Sequence, residues 1–392
     1  MPHLLLISNG HGEDAIGVRL AAALRESGCT IEALPIVGTG QAYVGGGVPL
    51  AGPTAVMPSG GFIHGRPVHL ARDLRHGLLS LTRAQWAAVR AGRGRWHAVL
   101  AVGDVVPLAF AWGSGLPFGF VGCAKSDWYL GGRPVAYGWH ERWLLRRPAC
   151  LGVWPRDALT TGHLVAAGVR AAWLGNPMMD ALGPTGRALP APEAIQTVLL
   201  LPGSRQEAPR NLARLAEAVV RLQRPGRRFL AALAASPEGE GWAPPGWTRG
   251  EGGALRHPDG ATIWLRAGAF SDVAHAADVA LAMAGTATEQ VVGLGKPAVA
   301  LPGPGPQFTR PFARAQVRLL GEAVLLADTP ADAASLVEHL LAAPEERARR
   351  GAVGAARMGP PGASRRITEA LLAALAGPEG GAVGGRLREE PP

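Results

Sequence analysis

Apolar runs along the chain end repeatedly in short glycine-bearing turns, and helical periodicity follows several of them. Residues 3–8 form such a run, closed by Asn9-Gly10-His11-Gly12, and residues 14–26 then carry Ile16, Leu20 and Ala23/Leu24 at helical spacing. This is strand, glycine turn, helix. Residues 98–102 form a second run that ends in Gly103-Asp104, and residues 117–121 a third that ends in Gly122-Cys123. Strands apolar on both faces and alternating with helices predict a parallel sheet wrapped by helices.

The same grammar restarts further along. Residues 197–201 run into Pro202-Gly203-Ser204-Arg205, and strands are expected again at 229–235 and 262–265. Residues 278–283 lead to Ala284-Gly285-Thr286, and 297–301 to a Gly/Pro loop over 302–306. Between the series, Gly183-Pro184-Thr185-Gly186 and Pro190-Ala191-Pro192 have the composition of a linker. After Asp328 helices are expected at 331–341 and 364–375.

These patterns predict an α/β protein with two Rossmann-like doubly wound domains, a cleft between them and a C-terminal helical extension, the GT-B arrangement. The expected domains are 1–182, 195–355 and a C-terminal helix, 362–376, packing back on the first; 377–392 is expected to be a disordered tail. A length of 392 residues suits two cores. Ligands of such sheets bind beyond the carboxyl ends of the strands, so the informative residues follow each apolar run.

Composition adds little chemistry. Apolar residues make up 47% of the chain, a globular proportion. The run Leu4 to Ile7 has no basic segment before it and stops at Ser8-Asn9-Gly10, which argues against a signal peptide or membrane anchor. Cys29, Cys123 and Cys150 show neither metal spacing nor a disulfide framework, so a reducing cytoplasm is expected. The net charge of +9 favours an anionic partner, yet Lys125 and Lys296 are the only lysines, and an arginine bias of that kind also follows genome composition. The arginines are dispersed with no nucleic-acid motif around them, so no nucleic acid is expected.

Four strand-end loops carry candidate chemistry. In the first, Asn9, Gly10, Gly12 and Asp14 line a turn at a helix start, where backbone approach and anions are favoured, with His11 among them. The dinucleotide fingerprint fails here, because Gly10 and Gly12 are followed by Ala15. In the second, Asp104 stands at a strand end with Pro107 soon after; it is either a general base or the cap of a helix. In the third, Gly203, Ser204 and Arg205 offer backbone donors, a hydroxyl and a guanidinium to a diphosphate. In the fourth, Gly285 and Thr286 offer phosphate donors and Glu289 or Gln290 ribose acceptors; Thr286 and Glu289 equally have the spacing of a capping box. Gln307 is a candidate contact to the donor sugar, and Lys125 to an acceptor phosphate. Residues 70–86, with leucines among Arg72, Arg75 and Arg83, suit either a basic amphipathic helix on anionic lipid or ordinary core packing.

The blocks Leu200-Leu201-Pro202-Gly203-Ser204-Arg205, Gly285-Thr286-Ala287-Thr288 and Gly175-Asn176-Pro177-Met178-Met179-Asp180 resemble the signature blocks of the lipid-A-disaccharide synthase family, in order and over nearly the whole chain. The resemblance implies a UDP-sugar in the second domain, with Thr288 joining the donor site, and a lipid-linked or phosphorylated sugar acceptor in the first, with Asn176 near it. It also places Asp104 where that family carries its proposed catalytic aspartate. Departures mark a divergent branch: His11-Gly12-Glu13-Asp14 replaces a Ser-Gly-Asp sequence, and Asn176 replaces histidine. Glu207 and Glu289 each sit one position early, leaving Gln290 at the expected place.

The expected reaction is inverting transfer of a sugar from UDP-sugar, with Asp104 as base, His11 a second catalytic candidate, and closure about residues 183–194 joining the half-sites. No Asp-x-Asp motif occurs, and neither metal nor cofactor is expected. The resemblance implies a cytoplasmic protein held peripherally on the inner membrane surface. The rival readings are a nonhydrolysing UDP-sugar 2-epimerase and a nucleotide-sugar-binding protein without catalysis.

Overall fold

The structure is a computed structural model that describes residues 1–57, 74–191, 193–204, 206–235, 242–303, 305 and 308–377. The expectations for Arg205, Gln307 and the 378–392 tail, and residues 70–73 of that for 70–86, lie outside the described residues, as does the side chain of His11; the rest of 70–86 runs into a helix from Leu78 that buries Leu81 and Gln85 and leaves Leu79 exposed. The chain forms two compact units, one of Met1–Asp127, Pro134–Pro177 and the described residues from Gly362, the other of Trp128–Arg133 and Met178–Pro361. The main division thus falls after Pro177, ahead of the linker composition. Thr185 and Gly186 are tied within the second unit, where both N–H groups and Thr185 Oγ1 donate to the Asp272 carboxylate at 2.7–3.0 Å.

The first unit is built on β1 (His3–Ser8), α1 (His11–Glu26), β2 (Thr30–Pro35), α2 (Gln41–Gly45), α3 (Leu78–Ala91), β3 (Ala98–Val102), α4 (Val105–Gly113), β4 (Phe118–Gly122), α5 (Trp139–Leu145), β5 (Cys150–Pro155) and α6 (Ala158–Ala166). Its five strands are all parallel, in the order β2-β1-β3-β4-β5. Alternation along the central strands explains why they read as unbroken apolar runs. Leu5, Ile7, Val99 and Ala101 enter the core on one face, while Leu4, Leu6, Ala98, Leu100 and Val102 enter the core on the other.

The second unit contains β6 (Gln196–Leu201), α7 (Ala208–Leu222), β7 (Arg227–Leu233), β8 (Thr248–Arg249), β9 (Ala254–Arg256), β10 (Thr262–Ala267), α8 (Phe270–Ala276), β11 (Val279–Ala282), α9 (Thr286–Gly293), β12 (Ala298–Ala300), α10 (Arg310–Leu320), β13 (Val324–Leu326), α11 (Pro330–Ala342) and α12 (Pro344–Met358). Its eight strands run β13-β12-β11-β6-β7-β10-β9-β8, parallel except for the β8–β9 and β9–β10 pairs. The last helix, α13 (Ala363–Ala376), belongs to the first unit. Its Ile367 and Leu371 are fully buried with residues of α1 and Trp154 of β5.

Candidate functional site

In the first unit the loops after β1 and β3 meet. Asp104 caps α4, its Oδ1 accepting the Val106 N–H at 2.9 Å. The capping alternative raised by the sequence is therefore realised, and it occupies one carboxylate oxygen. Asn9 approaches the same carboxylate through Nδ2, 3.4 Å from Oδ1 and 3.3 Å from Oδ2.

Glu13 completes this corner and was not singled out by sequence reasoning. Its Oε2 accepts the Asn9 N–H at 2.7 Å, and its carboxyl group lies flat against Gly103. A methyl group at Gly103 would overlap that carboxyl, and the φ of 124° there also favours glycine. Burial, and then the neighbouring Asp104, push the Glu13 carboxyl well above the usual range, so it favours the protonated form. The signal was its place one turn from Asn9 on a helix start, invisible without knowing that Gly103 comes alongside.

Other first-unit candidates are already engaged. Asp14 is 2% exposed and accepts Ser8 Oγ at 2.5 Å, while Ser8 Oγ lies 2.7 Å from Tyr43 Oη. This buried knot fixes the start of α1. Lys125 Nζ is held by both oxygens of buried Glu141, at 2.6 and 2.7 Å, and Glu141 also accepts the Gly138 N–H at the head of α5. Asn176 is buried. Gly10 caps α1 and Gly12 is open, with no atom within 4 Å of a Cβ position. His11 is the first residue of that helix.

In the second unit the loops after the adjacent strands β6 and β11 lie side by side. The Cβ position of Gly203 is 3.4 Å from the Met283 carbonyl, and Ser204 beside it is exposed. Gly285 stands at the N-cap of α9 and supplies no side-chain cap. The capping box suggested by Thr286 and Glu289 does not form there, because Thr286 is the first helical residue. The Gly285 carbonyl accepts the N–H groups of Thr288 and Glu289, and also Gln316 Nε2 at 2.9 Å. Thr288 Oγ1 turns back to the Ala284 carbonyl at 2.6 Å, so this threonine holds the turn. The N–H groups of Thr286 and Ala287 then lead the helix, the arrangement that suits a phosphate.

Glu289 and Gln290 lie on the same first turn. Gln290 Nε2 donates to the Met178 carbonyl at 3.2 Å, and Glu289 Oε1 accepts from Tyr129 Oη at 3.3 Å. The 302–308 loop joins from β12: the Gly303 N–H donates to the Phe308 carbonyl, and a Cβ at Gly305 would lie 2.6 Å from Glu207 Oε1. Among the described residues no three His, Cys, Asp or Glu side chains are grouped to hold a metal ion. Nor is any helix among them long and apolar enough to cross a membrane.

No family model matches the chain, and no curated protein does. Solved structures do. CalG4, the calicheamicin glycosyltransferase, is 17% identical with a TM-score of 0.64, covering 96% of this chain and 99% of its own. MurG of Acinetobacter baumannii is 16% identical with a TM-score of 0.60, covering 95% and 100%. A UDP-GlcNAc 2-epimerase from Neisseria meningitidis, solved with UDP-GlcNAc bound, is 13% identical with a TM-score of 0.55, again covering 95% and 100%. The fold is that of the GT-B class, two Rossmann-like domains with C-terminal helices.

Proposed function

We propose that the chain is an inverting glycosyltransferase that moves a sugar from a UDP-sugar to a glycolipid or phosphorylated-sugar acceptor, as a divergent relative of lipid-A-disaccharide synthase. The observation that carries the donor class is the pairing in the second unit of the Gly203 turn with an α9 start that has no side-chain cap. Backbone donors from Thr286 and Ala287 suit a diphosphate, and the Glu289 carboxyl one turn on suits ribose hydroxyls. The epimerase solved with UDP-GlcNAc, on the same fold, adds support for a UDP-sugar.

The first unit supplies Asp104. An acceptor hydroxyl attacks the anomeric carbon, the bond to the UDP oxygen breaks with its electron pair, and Asp104 takes the hydroxyl proton. Donors at the Gly203 and Gly285 turns stabilise the charge on the departing diphosphate. For the lipid acceptor the support is a tryptophan and arginine face on the first unit. Trp139, Trp143 and Trp112 are 74%, 43% and 46% exposed, and the Arg147 guanidinium lies 3.6 Å over Trp143.

One assay tests this reading: UDP-sugar incubated with lipid extract and without it, using wild type and Asp104→Asn. Transfer should require acceptor, and Asp104→Asn should slow it by roughly 10²-fold, because the amide keeps the helix cap but takes no proton. Free sugar released from UDP-sugar without acceptor would instead indicate the epimerase reading. Wild-type turnover by Asp104→Asn would remove Asp104 as the base.

A further inference from the structure

One side chain joins the loops that close two neighbouring strands of the first unit. β1 and β3 are paired in the parallel sheet with Ser8 opposite Val102, so Asn9 and Asp104 emerge at the same carboxyl edge. On the β1 side, Asp14 anchors the start of α1 by accepting Ser8 Oγ. Glu13, the residue before it, faces the β3 loop instead. Its Oε2 accepts the Asn9 N–H at 2.7 Å, and its carboxyl group lies where a side chain at Gly103 would stand.

The same wedge bears on Asp104. Gly103 has a φ of 124°, a conformation that L side chains rarely adopt, and this turn carries the backbone past the Glu13 carboxyl into Asp104. Asp104 Oδ1 accepts the Val106 N–H at 2.9 Å, and Asn9 Nδ2 reaches both of its oxygens, at 3.4 and 3.3 Å. Glu13 therefore holds the Asn9 backbone on one side and the residue before Asp104 on the other. Burial, and then the neighbouring Asp104, keep the Glu13 carboxyl toward its neutral form, so the wedge brings little added negative charge to the corner.

We propose that Glu13 is a positioning residue for Asp104: it sets the spacing of the β1 and β3 loops and, through Asn9, the direction in which Asp104 Oδ2 meets the acceptor hydroxyl. The inference rests on the reading of Asp104 as the base and adds to it a residue that reading does not include. A carboxylate accepts a proton along its lone-pair directions, and the terminal torsion of an aspartate is broad. One bond, from the Val106 N–H to Oδ1, leaves that torsion loosely set. An amide reaching both oxygens narrows it, provided the amide's own backbone is held, and the Glu13 bond to the Asn9 N–H supplies that hold.

The test combines steady-state transfer from UDP-GlcNAc to acceptor in a lipid extract with calorimetric titration by UDP. Glu13→Met fills the same space without an acceptor atom. It should lower kcat by roughly 10-fold and leave the KM for UDP-GlcNAc and the affinity for UDP unchanged. Glu13→Gln, which keeps an oxygen for the Asn9 N–H, should recover most of that loss. In an Asp104→Asn background Glu13→Met should add little, because the group through which Glu13 acts is already disabled. A purely structural role would lower kcat by the same factor in both backgrounds or weaken UDP as well; either result overturns the proposal, as does wild-type kcat in Glu13→Met. If Glu13→Met does not fold, Asn9→Ala carries the test: it should reproduce the loss in kcat, and full additivity with Asp104→Asn overturns the proposal. Wild-type turnover by Asp104→Asn removes the base and this inference with it, whereas a slow Asp104→Asn beside an unimpaired Glu13→Met overturns this inference alone. Wild type that transfers nothing overturns the transferase reading together with it.

Discussion

Glu13 and Asp104 are neighbouring carboxyl groups that one corner of the first unit holds in different surroundings. Asp104 spends Oδ1 on the Val106 N–H, whereas Glu13 is pressed against Gly103 and driven toward its protonated form by burial and by Asp104. A consequence for stability follows from the sign of that shift. Below the ordinary carboxylate range both folded and unfolded chains hold the Glu13 proton, and the group contributes nothing to pH dependence. As pH rises above that range the unfolded chain releases the proton while the folded chain retains it, so stability falls until the raised folded value is passed. Glu13→Gln cannot release a proton and still offers an oxygen to the Asn9 N–H. Its stability relative to wild type should therefore rise from mildly acidic to mildly alkaline pH, read from urea midpoints across that range. Parallel midpoints for the two proteins would show that Glu13 is ionised in the fold.

At the scale of elements, the strands that the sequence announces are those buried on both faces, such as β1 and β3, where no polar residue interrupts the apolar run. Edge strand β2 escapes notice because Glu32 interrupts it, paired with Arg95 at 3.2 Å, and β5 because Gly152 and Pro155 resemble a turn. Helix α12 is hidden differently: Gly351 and Gly354 argue against a helix, but each marks a close approach. A side chain at Gly351 would overlap the Gly295 backbone, and one at Gly354 would lie 2.6 Å from the Val292 carbonyl. The same limit applies to the site. The strand-end places of Gly203, Gly285 and Asp104 were legible because an apolar run locates them, whereas the partners of Lys125 and Tyr129 lie 16 and 160 residues further along the chain. The C-terminal helix gives a test of one such distant contact. Leu371 of α13 is fully buried with Leu4, Val121 and Trp154 in the first unit, so Leu371→Ala should destabilise that unit by about 2–5 kcal/mol. Hydrogen exchange should accelerate in β1 and β5 and remain unchanged in β6 and β11; a loss under about 1 kcal/mol would mean that α13 packs only loosely.

For the molecule as a whole, the distribution of charge says more than the net value of +9. Helices α3, α4 and α5 of the first unit carry Arg83, Arg90 and Arg142 but a single carboxylate, Glu141, which is buried and bound to Lys125. Trp139 and Trp143 stand one helical turn apart on α5, Trp143 meets Trp112 of α4 edge to face at 5.8 Å, and Arg147 covers Trp143. Tryptophan rings settle at the headgroup level of a bilayer, and each arginine near an anionic leaflet contributes roughly 1 kcal/mol at moderate salt. Two forces of different kind thus favour the same surface, and they can be separated. Wild type should co-sediment with vesicles containing anionic lipid, less with neutral vesicles, and less again as salt is raised. Replacing Trp139 and Trp143 together by serine should reduce binding to anionic vesicles several-fold, lower the melting temperature only slightly because Trp139 is 74% and Trp143 43% exposed, and leave UDP binding unchanged because neither lies in the second unit. Binding by the double variant equal to wild type would leave only a diffuse arginine attraction, and the tryptophan face would not be the docking surface. Failure of wild type to bind either vesicle would confine the acceptor to soluble phosphorylated sugars.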